Sequence, residues 1–117
     1  MRIAVTSQNF RTITGHAGKC RRFLVFGPGA ADAPEELQRL DLPMEMALHE
    51  HRGQSHPLFE LGLTDLITQG AGPGFIRRLA AQGIRVHVTS ATDPIAAVRS
   101  LLTKEPLPQP LEGACRH

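Results

Sequence analysis

The sequence predicts a single mixed α/β domain, and three observations carry that prediction. Its 117 residues suffice for one modest core and not for two. Apolar runs at 3–6 and 23–26 lie close enough in sequence to suggest an antiparallel pair. The C-terminal half then reads strand–helix–strand–helix, a βαβ pattern whose two strands run parallel with a right-handed crossover. An antiparallel pair joined to a parallel unit makes a mixed sheet.

Each element has a local reason. Ile3-Ala4-Val5-Thr6 is a short apolar strand that ends in the turn formers Ser7-Gln8-Asn9. Arg11-Thr12-Ile13-Thr14 is β-branched and reads as a short strand or extended arm. Phe23-Leu24-Val25-Phe26 is a continuous apolar strand closed by Gly27-Pro28-Gly29. Pro34 to Leu40 reads as a brief helix or a loop, Met44 to Leu48 as a third strand at an edge, and Pro57 to Leu61 as a short helix with proline first. Thr64 to Gln69 is the next strand, followed by Gly70-Ala71-Gly72-Pro73-Gly74. A helix with Phe75, Ile76, Leu79 and Ala80 on one face stops at Gly83. Ile84, Val86 and Val88 alternate as a strand, and Asp93-Pro94 opens a last helix striped by Ile95, Val98, Leu101 and Leu102. The domain is residues 1–103; residues 104–117, with prolines at 106, 108 and 110, read as a flexible extension.

Composition narrows the function. Charged residues are 21% of the chain and the formal net charge is +2, so no polyelectrolyte partner is implied. Trp and Tyr are absent, leaving five Phe for base stacking, which argues against nucleic acid. No apolar stretch approaches the roughly 20 residues of a membrane span. The N-terminus shows no signal-peptide pattern, so the chain is expected in the cytoplasm. In that reducing compartment Cys20 and Cys115 are expected as free thiols.

The most informative stretch is Gly15-His16-Ala17-Gly18-Lys19-Cys20-Arg21-Arg22. Imidazole and thiolate are ligands for zinc, copper and iron–sulfur centres. Lys19, Arg21 and Arg22 would lower a thiol pKa and attract an anion. An anionic metal–sulfur cluster suits that combination better than a bare cation, whereas the plainer reading is a loop histidine and a small buried cysteine beside solvated cations. A second constellation is His49-Glu50-His51 with His56; in an extended segment His49 and His51 share a face and could chelate one ion, though the spacing matches no familiar zinc motif. The turn with Gly70, Gly72 and Gly74 lies between strand and helix, where N–H groups and the helix dipole favour anions. It lacks the Lys and Ser/Thr of a Walker loop, and its plainer reading is a tight turn.

With these elements in place the chain resembles the dinitrogenase iron–molybdenum cofactor biosynthesis family, the NifX-like carriers and the related C-terminal domain of NifB. The matching pieces are Ile3-Ala4-Val5-Thr6-Ser7, Gly15-His16-Ala17-Gly18-Lys19, Phe23-Leu24-Val25-Phe26, Asp65-Leu66-Ile67 with Gly70-Ala71-Gly72, and Leu79 to Ile84, in that order. The resemblance implies a ribonuclease-H-like fold with a mixed sheet of about five strands and flanking helices. It also implies a non-enzymatic role in binding or carrying metal–sulfur clusters, of iron–sulfur or iron–molybdenum type, between donor and acceptor proteins. The family's loop histidine falls on His16. Ala17 stands where the family usually has Phe, and a thiol at position 20 is not a general family feature. Nuclease chemistry would need several converging carboxylates, and the strands offer Asp65 without clear partners, while Asp93 suits a helix cap.

The expected cofactor-binding residues are therefore His16, Gly18, Lys19, Cys20, Arg21, Gly70, Gly72 and Gly74, with metal contacts from His16, Cys20, His49, His51 and His56. Two rival functions are a sulfur relay using Cys20 as nucleophile and a non-catalytic regulatory domain. A homodimer through an edge strand is compatible with the sequence.

Overall fold

The computed structural model describes residues 2–15, 22–28, 34–42, 61–104 and 107. Five strands and two helices follow in the order β1 (Ile3–Thr6), β2 (Arg22–Pro28), β3 (Pro34–Asp41), β4 (Asp65–Thr68), α1 (Pro73–Ala80), β5 (Arg85–Val88) and α2 (Pro94–Leu102). They form one mixed sheet in the order β3-β2-β1-β4-β5. β1 pairs antiparallel with β2 and parallel with β4, and β4 pairs parallel with β5. The antiparallel pair and the parallel unit are thus both present, joined where β1 lies parallel to β4.

The apolar runs form strands because the sheet is covered on both faces. A central strand then needs apolar residues at consecutive positions instead of alternate ones. Ala4, Phe23, Val25 and Leu66 face Phe75 and Leu79 of α1, whereas Ile3, Val5, Leu24, Phe26 and Ile67 face Ala97 and Val98 of α2. The helices cover less than their stripes predict. Ile76 is 37% exposed and Ile95 50%. α1 has only eight residues, so the sheet takes one i,i+4 pair, Phe75 and Leu79.

Two segments differ from the sequence reading. Pro34 to Leu40 is neither helix nor loop: the segment to Asp41 is an edge strand, antiparallel to β2. Its Glu, Leu, Gln and Arg are good helix formers, but β2 has an open edge on that side and backbone pairing overrides propensity. Pro34 sits at the first position of the strand, where its missing donor does least harm. Leu37 is the unmatched residue of a bulge and lies over Gly27. Residues 11–14 are loop, not strand. The Asn9 carboxamide oxygen accepts from the N–H of Arg11 (2.8 Å) and of Thr12 (2.9 Å), satisfying the backbone without a ladder. Ile13 is nevertheless buried in the α2-side core, and its N–H donates to the Thr92 carbonyl.

The strand expected at 44–48 lies outside the described residues, as does the helix expected at 57–61 except for Leu61. In the tail, Leu107 is half-buried against the α2-side core.

Candidate functional site

β1 and β4 are parallel neighbours, and the chain leaves them in opposite directions, β1 toward β2 and β4 toward β5. Such a switch point opens a crevice at the carboxyl ends of the strands. The sequence places threonines there, Thr6 and Thr68, and both are fully buried. Their hydroxyl oxygens lie 2.9 Å apart. Both reach the Thr14 carbonyl, Thr6 Oγ1 at 2.6 Å and Thr68 Oγ1 at 3.1 Å, and the Gln69 N–H donates to the same oxygen at 3.1 Å. The loop after β1 is thereby tied to the end of β4.

Gly15 follows directly. A Cβ added to it would sit 3.6 Å from the Gly70 nitrogen, so the residue before His16 rests on the glycine turn. The other end of the same connection is anchored nearby. Arg22 begins β2, and its carbonyl accepts from the Ser7 N–H at 3.0 Å, just past the end of β1. The Arg22 guanidinium donates to Asp41 (3.2 Å) and to the Gln8 carbonyl (2.9 Å). It also lies 5.9 Å from the Phe10 ring centroid, so Arg22 joins β2, β3 and the loop after β1.

The glycine turn has a divided role. The Gly70 N–H already donates to Thr68 Oγ1 at 3.3 Å. Gly72 is the N-cap of α1 in an extended conformation, supplies no side chain, and accepts from Ile76 through its carbonyl. Pro73 has no N–H to offer. The N–H groups of Gly74 and Phe75 have no acceptor among the described residues, and the first turn holds no acidic side chain. The N–H groups of Gly74 and Phe75 are therefore open among the described residues, at the positive end of the helix dipole. α2 differs: its Asp93 carboxylate accepts from the N–H groups of Ile95 and Ala96.

His16, Gly18, Lys19, Cys20 and Arg21 lie outside the described residues, as do His49, His51, His56 and Cys115. The structure seats one flank of the first group, Gly15, on Gly70 of the glycine turn, and ties the other, Arg22, to Ser7 and Gln8 just past the end of β1. Among the described residues no three His, Cys, Asp or Glu side chains converge in a way that could hold a metal ion. An open cavity of about 250 Å³ on the α2 side is lined by Phe10, Leu24, Phe26, Arg39, Asp93 and Ile95 among others, none of them an expected site residue.

One polar cluster escapes the sequence reading. Asp65 is buried at the amino end of β4, and His87 Nε2 lies 2.7 Å from its Oδ2. An ionised carboxylate only accepts, so Nε2 carries the proton. Arg85 Nε lies 3.4 Å from the same oxygen. Burial pushes the Asp65 carboxyl up, but hydrogen bonds from Thr64 and His87 and the nearby Arg85 charge outweigh it and hold the pKa below its ordinary value. His87 occupies the polar phase of the Ile84-Val86-Val88 alternation, a signal that it faces away from those residues. Its pairing with Asp65 depends on the register of β4 and β5, which local sequence does not carry.

No described helix is long and apolar enough to cross a membrane. A family model described as dinitrogenase iron–molybdenum cofactor matches residues 1–104. The fold is similar to that in the crystal structure of PH0822, with a TM-score of 0.68 at 20% sequence identity, covering 96% of this chain and 97% of that one. No curated protein matches the sequence.

Proposed function

We propose that this chain, which belongs to the dinitrogenase iron–molybdenum cofactor family over residues 1–104, binds and carries a metal–sulfur cluster as cargo. Membership makes it a protein related to nitrogenase cofactor biosynthesis. In the proposed reading His16 and Cys20 ligate an iron–sulfur or iron–molybdenum type cluster. Lys19 and Arg21 offset its negative charge, Gly18 lets the backbone approach, and the turn from Gly70 through Gly72 to Gly74 lies beneath it. His49, His51 and His56 are further candidate ligands. The chain acts as a non-catalytic carrier in a reducing, cytoplasmic setting, receiving the cluster from one protein and passing it to another.

The supporting observation is the seat of Gly15 on Gly70, the first residue of the turn that carries the open N–H groups of Gly74 and Phe75. Covalent continuity ties His16 to Gly15 and Arg21 to Arg22, so both ends of the candidate ligand segment are rooted at the carboxyl ends of β1 and β4. A sulfide-rich anion is stabilised where N–H donors and cations meet. One or two protein ligands also suit a carrier, because cargo held by a closed four-ligand site is slow to leave.

The test is anaerobic reconstitution of the full chain with iron, sulfide and molybdate, followed by metal analysis and visible absorption. The same measurement is made on His16→Ala and Cys20→Ala. Stoichiometric colour in the wild type that is lost in both variants is the expected result. A colourless wild type with background metal overturns the carrier reading. If Cys20 is then alkylated rapidly at neutral pH, the sulfur-relay alternative takes its place.

A further inference from the structure

Two neighbouring parallel strands end in a buried hydroxyl, Thr6 closing β1 and Thr68 closing β4, and Thr89 directly follows β5; all three are fully buried. A valine would fill the same space and suit a strand as well, so the hydroxyls need a reason. Thr89 Oγ1 has a local one, accepting from the Ala91 N–H at 3.2 Å. Thr6 and Thr68 instead act together across the parallel pair, and what they hold is the loop.

Hydroxyl protons rotate to suit their surroundings. The Thr6 hydroxyl donates to the Thr14 carbonyl at 2.6 Å, and Thr68 Oγ1 accepts from the Gly70 N–H at 3.3 Å. The Thr68 proton then has Thr6 Oγ1 at 2.9 Å and the carbonyls of Thr14 and Gly70, each at 3.1 Å, as acceptors, so neither hydroxyl is left unpaired. The Gln69 N–H closes the circuit on the Thr14 carbonyl at 3.1 Å. In a buried chain each bond polarises the next. The circuit begins at the glycine turn and ends one residue before Gly15.

We infer that Thr6 and Thr68 are positioning residues whose hydroxyls latch the Thr14 carbonyl and so hold Gly15 against Gly70, fixing the root of the candidate ligand segment relative to the α1 N-terminus. The latch governs how long cargo is retained, and that part rests on the carrier reading above. A looser root lets ligand and backbone donors part, and the cluster leaves sooner.

Two measurements on the full chain test this, using Thr68→Val, which keeps the shape and removes the hydroxyl, and Thr68→Ser, which restores it. The first is amide hydrogen exchange of the Gln69 N–H in the metal-free protein, with amides of the β1–β2 ladder as the reference for an intact fold. Gln69 protection falls about tenfold in Thr68→Val and returns in Thr68→Ser, while the ladder amides are unchanged. The second is the rate at which an iron chelator removes cluster from the reconstituted protein, which rises about tenfold in Thr68→Val and returns to the wild-type value in Thr68→Ser. If Thr68→Val fails to fold, Thr6→Val is read by the same amide and the same rate. Unchanged Gln69 exchange in a folded valine variant overturns the latch. Changed exchange with unchanged cluster loss overturns its part in retention. A wild type that takes up no cluster overturns the carrier reading instead, and Gln69 exchange still decides the latch.

Discussion

Replacing Asp65 with Asn tests whether the buried carboxylate is held as an anion by its neighbours. The side chain is 2% exposed, and its surroundings are donors: the Thr64 hydroxyl, His87 Nε2 at 2.7 Å and Arg85 Nε at 3.4 Å. An amide of the same shape keeps one acceptor and turns the other oxygen into a donor facing donors. The charge-assisted bond to His87 contributes about 1.5–3 kcal/mol, of which a neutral bond recovers about 1. The Arg85 side chain is 70% exposed, so its pair adds no more than about 1 kcal/mol. The expected loss is about 1–3 kcal/mol at neutral pH, a fall in Tm of roughly 4–12 °C for a chain of this size. The sign with pH follows from the depressed carboxyl. Above its ordinary pKa of 3.8 Asp65 is ionised in both folded and unfolded states, and the stabilisation is fully present. As pH falls below that value the unfolded chain takes up a proton first, and the advantage disappears as pH passes through the folded pKa. Urea unfolding of wild type and Asp65→Asn from pH 7 down to pH 2 therefore shows a gap that closes in acid. Equal stabilities at pH 7, or a gap that widens in acid, refute the reasoning.

Other substitutions probe the frame that carries the site. Leu79→Ala opens a hole where α1 meets the sheet and is expected to cost about 2–5 kcal/mol in urea unfolding. Asp93→Ala removes the acceptor for two N–H groups of α2 and is expected to cost about 1 kcal/mol, read the same way, with Asp93→Ser recovering most of it. Gly83 has φ of +78° with open space around its Cα, so Gly83→Ala costs about 1 kcal/mol through the backbone alone, measured as a shift in the urea midpoint. Gly27→Ala would place a methyl 3.0 Å from Leu37 Cδ1, the end of an exposed and movable side chain, so its expected change in Tm is no more than a few degrees.

The sequence by itself determined the elements whose causes are local. Ile3 to Thr6 and Phe23 to Phe26 read as strands because a sheet covered on both faces demands apolar runs, and Thr64 to Gln69, read as a strand, contains β4. Asp93-Pro94 read as a helix start because a carboxylate cap and a preset φ act within one turn. Gly83 read as a helix stop because glycine tolerates positive φ, and the structure gives it one. The tertiary structure alone decided the rest. Pro34 to Asp41 became a strand because β2 offered an edge, and Asp65 met His87 because β4 and β5 took a particular register. The seat of Gly15 on Gly70 and the Thr6–Thr68 pair join residues separated by more than fifty positions. Periodicity and capping act over one turn or one strand, whereas the floor of this site is built by strand order, which no local pattern encodes.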